Sequence, residues 1–105
     1  MADIRHERLQ EALREGAAEF LVREATPQSL ITVTRAVLSE DTKRATVFIT
    51  VLPDSAEQQA VAFANRNKRE LIDFLKTRIR GGLPHHIEFE IDLGEKNRQR
   101  LDELS

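Results

Sequence analysis

The chain has 105 residues, of which 40% are apolar and 32% charged, with sixteen Lys and Arg set against eighteen Asp and Glu for a net charge of −2. That describes one small soluble domain, residues 1–105, able to bury about 60–70% of its unfolded surface in a single two-layer core. The absence of cysteine excludes disulfides, thiolate nucleophiles and thiolate metal sites, and no apolar run approaches the roughly 18 residues of a membrane-spanning helix.

Ile4 to about Arg23 reads as an amphipathic helix, because Leu9, Leu13, Ala17, Phe20 and Leu21 recur at helical spacing between Arg and Glu. Thr26-Pro27-Gln28-Ser29 should end it, since proline cannot continue the hydrogen-bond ladder. MADIRHERLQEAL has no uninterrupted apolar stretch of the secretory kind, so the cytoplasm is the expected location.

Leu30 to Leu38 alternates, which predicts Ile31, Val33 and Val37 on one face and Thr32, Thr34 and Ala36 on the other. Ala45 to Val51 alternates again, with Ala45, Val47, Ile49 and Val51 sharing a side. Joined by Ser39-Glu40-Asp41-Thr42-Lys43, the two runs predict an antiparallel hairpin whose turn lacks a glycine. Pro53-Asp54-Ser55 then breaks the strand and offers a helix start, with Asp54 or Ser55 as cap and Gln58 completing a capping box.

A short helix is expected through Phe63-Ala64. A longer one follows on the stripe Leu71, Ile72, Leu75 and Ile79, stopping at Gly81-Gly82. Ile87 to Asp92 is the clearest alternation and predicts a third strand with Glu88, Glu90 and Asp92 pointing outward; Glu95 to Leu104 is a weak final helix. The order α-β-β-α-α-β predicts an α+β fold, a three-stranded sheet with helices on one face and water on the other.

The charge is unevenly spread. Residues 64–80, ANRNKRELIDFLKTRIR, hold six cations against Glu70 and Asp73, a local +4, whereas the segments on either side are each −3. On a helical projection Arg69, Lys76 and Arg80 align within about 40°, with Arg66 at their edge and the apolar stripe well over 90° away. Cations one and two turns apart can reach successive phosphates; the alternative is a solvated face laced with ion pairs.

Arg5, Arg8 and Arg14 extend the cationic surface or pair with Glu7, Glu11 and Glu15. Lys43 and Arg44 sit beside Glu40 and Asp41, where a local turn network is expected. Four of the five Phe occupy core positions, and Phe48 alone shares the outward side of its strand with Thr46 and Thr50. With no Tyr or Trp, base stacking on the sheet is not expected. Adjacent strand residues His85 and His86 point to opposite faces, which suits metal chelation poorly. The glycines, Gly16, Gly81, Gly82 and Gly94, form no phosphate loop, and the four serines have no nearby His/Asp partner. No catalytic residue, cofactor, metal or small-molecule substrate is expected.

The collinear set Arg5-x-x-Arg8, Thr32 to Asp41 with its Ser39-x-Asp41 turn, Ala45 to Val51, and Pro84 followed by Ile87 to Asp92 resembles the ribosome-binding factor A family over roughly Arg5 to Leu104. The resemblance implies a KH-like fold of the type II order, in which an Ala-x-Gly kink between two helices replaces the Gly-x-x-Gly loop. Here the kink would fall at Ala64-Asn65-Arg66, with Arg66 at the glycine position. Either Asn65 or Arg66 then takes a less favoured backbone conformation, or the kink is shallower.

The resemblance further implies a non-catalytic assembly factor, monomeric and free of membranes, that binds free small (30S) ribosomal subunits and assists late maturation of 16S rRNA. The candidate RNA-contact residues are Asn65, Arg66, Asn67, Lys68, Arg69, Lys76 and Arg80 of the basic segment, with Arg5 and Arg8 on the first helix. A protein–protein adaptor using either the acidic residues Glu88, Glu90, Asp92, Glu95, Asp102 and Glu103 or the open sheet edge, or a general RNA-binding module of the same fold, is the alternative.

Overall fold

In the computed structural model, which describes residues 4–24 and 29–104, the elements are α1 (Ile4–Glu24), β1 (Leu30–Leu38), β2 (Arg44–Leu52), a 3-10 turn (Asp54–Ala56), α2 (Glu57–Arg66), α3 (Lys68–Arg78), β3 (His86–Ile91) and α4 (Leu93–Leu104). The expected stop at Thr26-Pro27-Gln28 lies outside the described residues. The sheet order is β1-β2-β3. β1 and β2 pair antiparallel from Leu30↔Leu52 to Leu38↔Ala45, and β3 lies parallel to β2 from Arg44↔His86 to Ile49↔Ile91. Two parallel strands need a long connection, and α2 with α3 supplies it.

The core follows from the alternation. Ala45, Val47, Ile49 and Val51 of β2 and Ile87 and Phe89 of β3 are buried against Leu13, Ala17 and Leu21 of α1, Ala60 and Ala64 of α2, and Leu71 and Leu75 of α3. Each fully buried Leu or Ile contributes about 1.5–3 kcal/mol relative to exposure. α1 and α3 touch closely: a Cβ built on Gly16 would overlap the end of the Leu75 side chain, so any larger residue there must displace it.

β1 departs from its expected alternation. A bulge between Val33 and Arg35 inserts one residue into the ladder with β2. Two residues then oppose one, and every later side chain changes face. Ala36 and Leu38 therefore join Val33 in the core, while Val37 is exposed. The glycine-free turn closes because Thr42 itself takes a positive φ of 62°. Asp41 Oδ1 receives hydrogen bonds from Ser39 Oγ (2.6 Å) and the Lys43 amide (3.0 Å). The Ser39 hydroxyl and the Lys43 amide hold the Asp41 carboxyl below the usual range.

Three other expectations change. The capping box at Ser55 and Gln58 does not form, as neither the 3-10 turn nor α2 has a side-chain cap; Asp54 faces Lys96 (3.8 Å) and Arg100 (4.0 Å) of α4. α3 ends at Arg78, before the glycines, because Ile79 is extended (φ −119°, ψ 124°). Asp92 does not point into water: it is buried at 5% exposure, one residue beyond β3, where it accepts from the Glu95 amide (3.0 Å) and so caps α4.

Candidate nucleic-acid interface

The break between α2 and α3 consists of one residue. Asn67 (φ −102°, ψ 22°) turns the chain, its amide donating to the carbonyls of Phe63 and Ala64 (3.2 Å each) and its carbonyl accepting from the Leu71 amide (3.0 Å). The Asn67 side chain also reaches back, Nδ2 donating to Phe63 O at 2.8 Å. A side-chain amide that takes a carbonyl four residues earlier competes with the helical ladder.

The bend expected at Ala64-Asn65-Arg66 therefore lies one residue later. Asn65 and Arg66 both stay helical, and Thr42 is the only non-glycine with positive φ among the described residues. No left-handed residue is needed here, so an arginine fits where glycine was expected.

Asn65 serves the fold. Its Oδ1 accepts from the Phe89 amide at 3.1 Å, which anchors α2 to the free edge of β3 and satisfies a backbone donor that no strand pairs. Ala64, at 0% exposure, lets that end of α2 lie close on the sheet.

Arg66, Arg69, Lys76 and Arg80 are exposed and Lys68 is half-buried. Among the described residues, none of the five meets a carboxylate at ion-pair distance. Arg69 and Lys76, seven residues apart on α3, align within about 20°. Arg80 leaves that line because α3 has ended two residues earlier. Arg78 faces the other way, pairing with Glu19 of α1 (2.7 Å) and covering the Phe74 ring (4.8 Å).

On α1, Arg14 pairs with Glu11 and approaches Glu15 (3.9 Å). Arg8 is exposed without a carboxylate partner among the described residues, and Arg5 is exposed while making an interaction within the chain. This end of α1 is fixed to the hairpin: Gln10 Oε1 accepts from the Leu38 amide (2.8 Å), and His6 Nε2 lies 3.0 Å from Ser39 O. At the hairpin, the turn network is made by Ser39 and Asp41, leaving Lys43 and Arg44 exposed.

The acidic surface is smaller than expected. Asp92 is internal, Glu95 pairs with Arg98 (2.5 Å), and the Glu103 side chain lies outside the described residues. Glu88 and Glu90 remain exposed on the open face. Among the described residues no group of three or more His, Asp or Glu is arranged to hold a metal, and no helix is long and apolar enough to cross a membrane. A cleft of about 360 Å³ lies where β2 and β3 begin, lined by Arg44, Ala45, Thr46, His86 and Glu88.

The sequence did not point to Arg35. Its guanidinium sits 4.2 Å above the Phe48 ring, and its Nε lies 3.3 Å from Asp92 Oδ2. Only the bulge brings Arg35 opposite Phe48, and bulges have no dependable signature in a run of β-branched residues.

A set of outward guanidinium and ammonium groups on a rigid helix pair, lacking internal counter-ions, suits a polyanion that places phosphates at successive turns. Comparison with known proteins identifies the family. A family model described as Ribosome-binding factor A matches residues 5–105. The crystal structure of ribosome-binding factor A from Thermus thermophilus is similar at 27% identity and TM-score 0.71, covering 82% of this chain and 94% of that one. A Thermotoga maritima protein solved by NMR shares the fold at 23% identity and TM-score 0.69, covering 86% and 89%. A Thermus thermophilus ribosome-binding factor A model fitted into the cryo-EM map of a 30S complex matches at 26% identity and TM-score 0.69, covering 79% and 90%. A search of curated proteins finds no match.

Proposed function

This chain belongs to the ribosome-binding factor A family, and on that premise we propose that it binds the free small (30S) ribosomal subunit through the cationic flank of α2 and α3 and assists late maturation of its 16S rRNA. The observation that carries this reading is the exposure of Arg66, Arg69, Lys76 and Arg80 with no carboxylate partner among the described residues, in a family with a member fitted into a 30S complex.

Each cation that neutralises a phosphate releases condensed counter-ions, and that release drives association without reading sequence. The role is physical: a rigid basic clamp holds helical RNA in one geometry until maturation is complete. It needs no titratable pair, cofactor or small-molecule substrate, and one copy of the chain suffices. Lys68, and Arg5 and Arg8 at the start of α1, extend the same contact. Asn67 shapes the bend that aims it, whereas Asn65 is committed to β3.

The test is co-sedimentation of the tagged protein with cell ribosomal fractions. The wild type should travel with free small subunits and not with translating ribosomes. The variant Arg69→Glu/Lys76→Glu/Arg80→Glu should lose that association with its melting temperature unchanged. Undiminished binding by a folded triple variant refutes the assignment of this face.

A further inference from the structure

The open face of the sheet forms an ordered grid of side chains. The strand registers place Arg44 beside His86, Val37 beside Thr46 and Glu88, and Arg35 beside Phe48 and Glu90. In the third row the Arg35 guanidinium rests on the Phe48 ring at 4.2 Å, and Asp92 Oδ2 holds its Nε at 3.3 Å. Asp92 is itself fixed by Thr34 Oγ1 at 2.6 Å. The Arg35 side chain nevertheless keeps 57% exposure. A flat cation is thus anchored on one side by an aromatic ring and an ion pair, while its other surface is open to solvent.

Guanidinium planes are stacking platforms for unpaired bases. A lone phenyl with no aromatic neighbour makes a poor platform; a phenyl already covered by a fixed guanidinium presents a rigid one at little further cost in side-chain entropy. Glu90 is exposed one strand away from Phe48, with no hydrogen-bond or ion-pair partner among the described residues. Carboxylates accept from the exocyclic amine of cytosine, and they repel phosphates. An occupant must therefore aim a base edge at Glu90 and direct its phosphates elsewhere. The far end of the neighbouring cleft offers that place: Arg44 and His86 line it one row beyond Thr46 and Glu88, the lining carboxylate from which a phosphate must also stand off. Arg44 lies four residues along β2 from Phe48, about 13 Å, a span suited to one extended nucleotide and its neighbouring phosphate.

We propose that this open face is a second RNA site, in which Arg35 on its Phe48 support stacks one unpaired base bearing an exocyclic amine and Glu90 accepts a hydrogen bond from that amine, with the adjoining phosphate at Arg44. The proposal rests on the reading that the chain meets RNA, but it uses none of the α2 and α3 cations. It assigns a base-reading role to one face and a backbone-binding role to the other.

The experiment is an NMR titration of the isotopically labelled full chain with the single-stranded tetranucleotides rC4 and rU4. The amides of Arg35, Thr46, Phe48 and Glu90 should shift with rC4. Uracil carries no exocyclic amine, so rU4 should bind about five- to tenfold more weakly. Glu90→Gln, an exposed site whose change leaves the core intact, should erase that difference, because an amide both donates and accepts. Arg35→Lys keeps the charge near Asp92 but loses the plane, and should weaken rC4 by about fivefold or more. Arg69→Glu/Lys76→Glu should leave the cytosine preference and the open-face shifts in place even where subunit binding is lost, which separates this proposal from the preceding one. Equal affinity for the two oligomers, shifts confined to residues 64–80, or no binding of either would overturn it.

Discussion

Thr34 and Asp92, 58 positions apart in the chain, meet through a hydrogen bond of 2.6 Å from Thr34 Oγ1 to Asp92 Oδ2. The same hydroxyl lies 3.2 Å from Phe48 O, within reach as a second acceptor. The contact joins the β1 bulge to the first turn of α4 across the central strand. It lets a buried carboxylate serve three donors: Thr34, the Glu95 amide and Arg35.

Asp92→Ala should therefore cost about 2–4 kcal/mol in urea unfolding, from a lost helix cap and the lost hydrogen bonds to a charged acceptor. Hydrogen exchange should accelerate first in α4. A loss below about 0.5 kcal/mol would show that the bulge and α4 are not coupled through this side chain.

Burial pushes the Asp92 carboxyl up, but the hydrogen bonds from Thr34 and the Glu95 amide, together with Arg35, outweigh it and hold the group below the usual range. A carboxylate lowered in the folded state stabilises at pH values above its unfolded pKa of about 3.9, and that stability is lost as pH falls through the folded value. Stability should thus be level near neutrality and decline below about pH 4. Asp92→Asn, which does not ionise, should decline less steeply over the same interval; parallel acid curves for the two proteins would contradict this.

Asn65→Ala should lower the melting temperature even though the residue lies inside the basic segment, because it leaves the Phe89 amide without its acceptor. An orphaned buried donor costs about 1–3 kcal/mol. Per molecule that stays folded, subunit binding should remain near wild type. A variant with unchanged melting and lost binding would place Asn65 in the RNA contact instead.

Thr42→Gly should stabilise the chain by about 0.5–1 kcal/mol, since a β-branched residue at φ 62° carries backbone strain that glycine does not. Thermal unfolding measures it, and a decrease in melting temperature would mean that the threonine side chain contributes more than the strain it bears.

For the cationic flank the informative quantity is salt dependence. Each of Arg66, Arg69 and Lys76 that neutralises a phosphate adds about 0.9 to the slope of log affinity against log salt. Single alanine variants should each reduce that slope by about 1, measured as subunit affinity between low and moderate ionic strength. A slope that stays constant across the three would assign them to ordinary solvated surface.

The element order, the hairpin, the inward side of β2 and the outward cations of α3 were all legible in the sequence, because each depends on periodicity within a short window. Ala45, Val47, Ile49 and Val51 need only the two-residue repeat of a strand, and Arg69 and Lys76 need only the helical turn. The points where structure and sequence part company are those settled by partners distant in the chain. The bulge turns Ala36 inward and sets Arg35 over Phe48 because β2 fixes the register of β1. Asp92 looks like one more outward strand residue until Thr34 and the start of α4 close around it. Asn65 looks like part of a basic surface until the unpaired edge of β3 claims it. Local pattern decides which way a segment faces; which polar group each buried donor or acceptor finds depends on the neighbours that packing brings within about 3 Å.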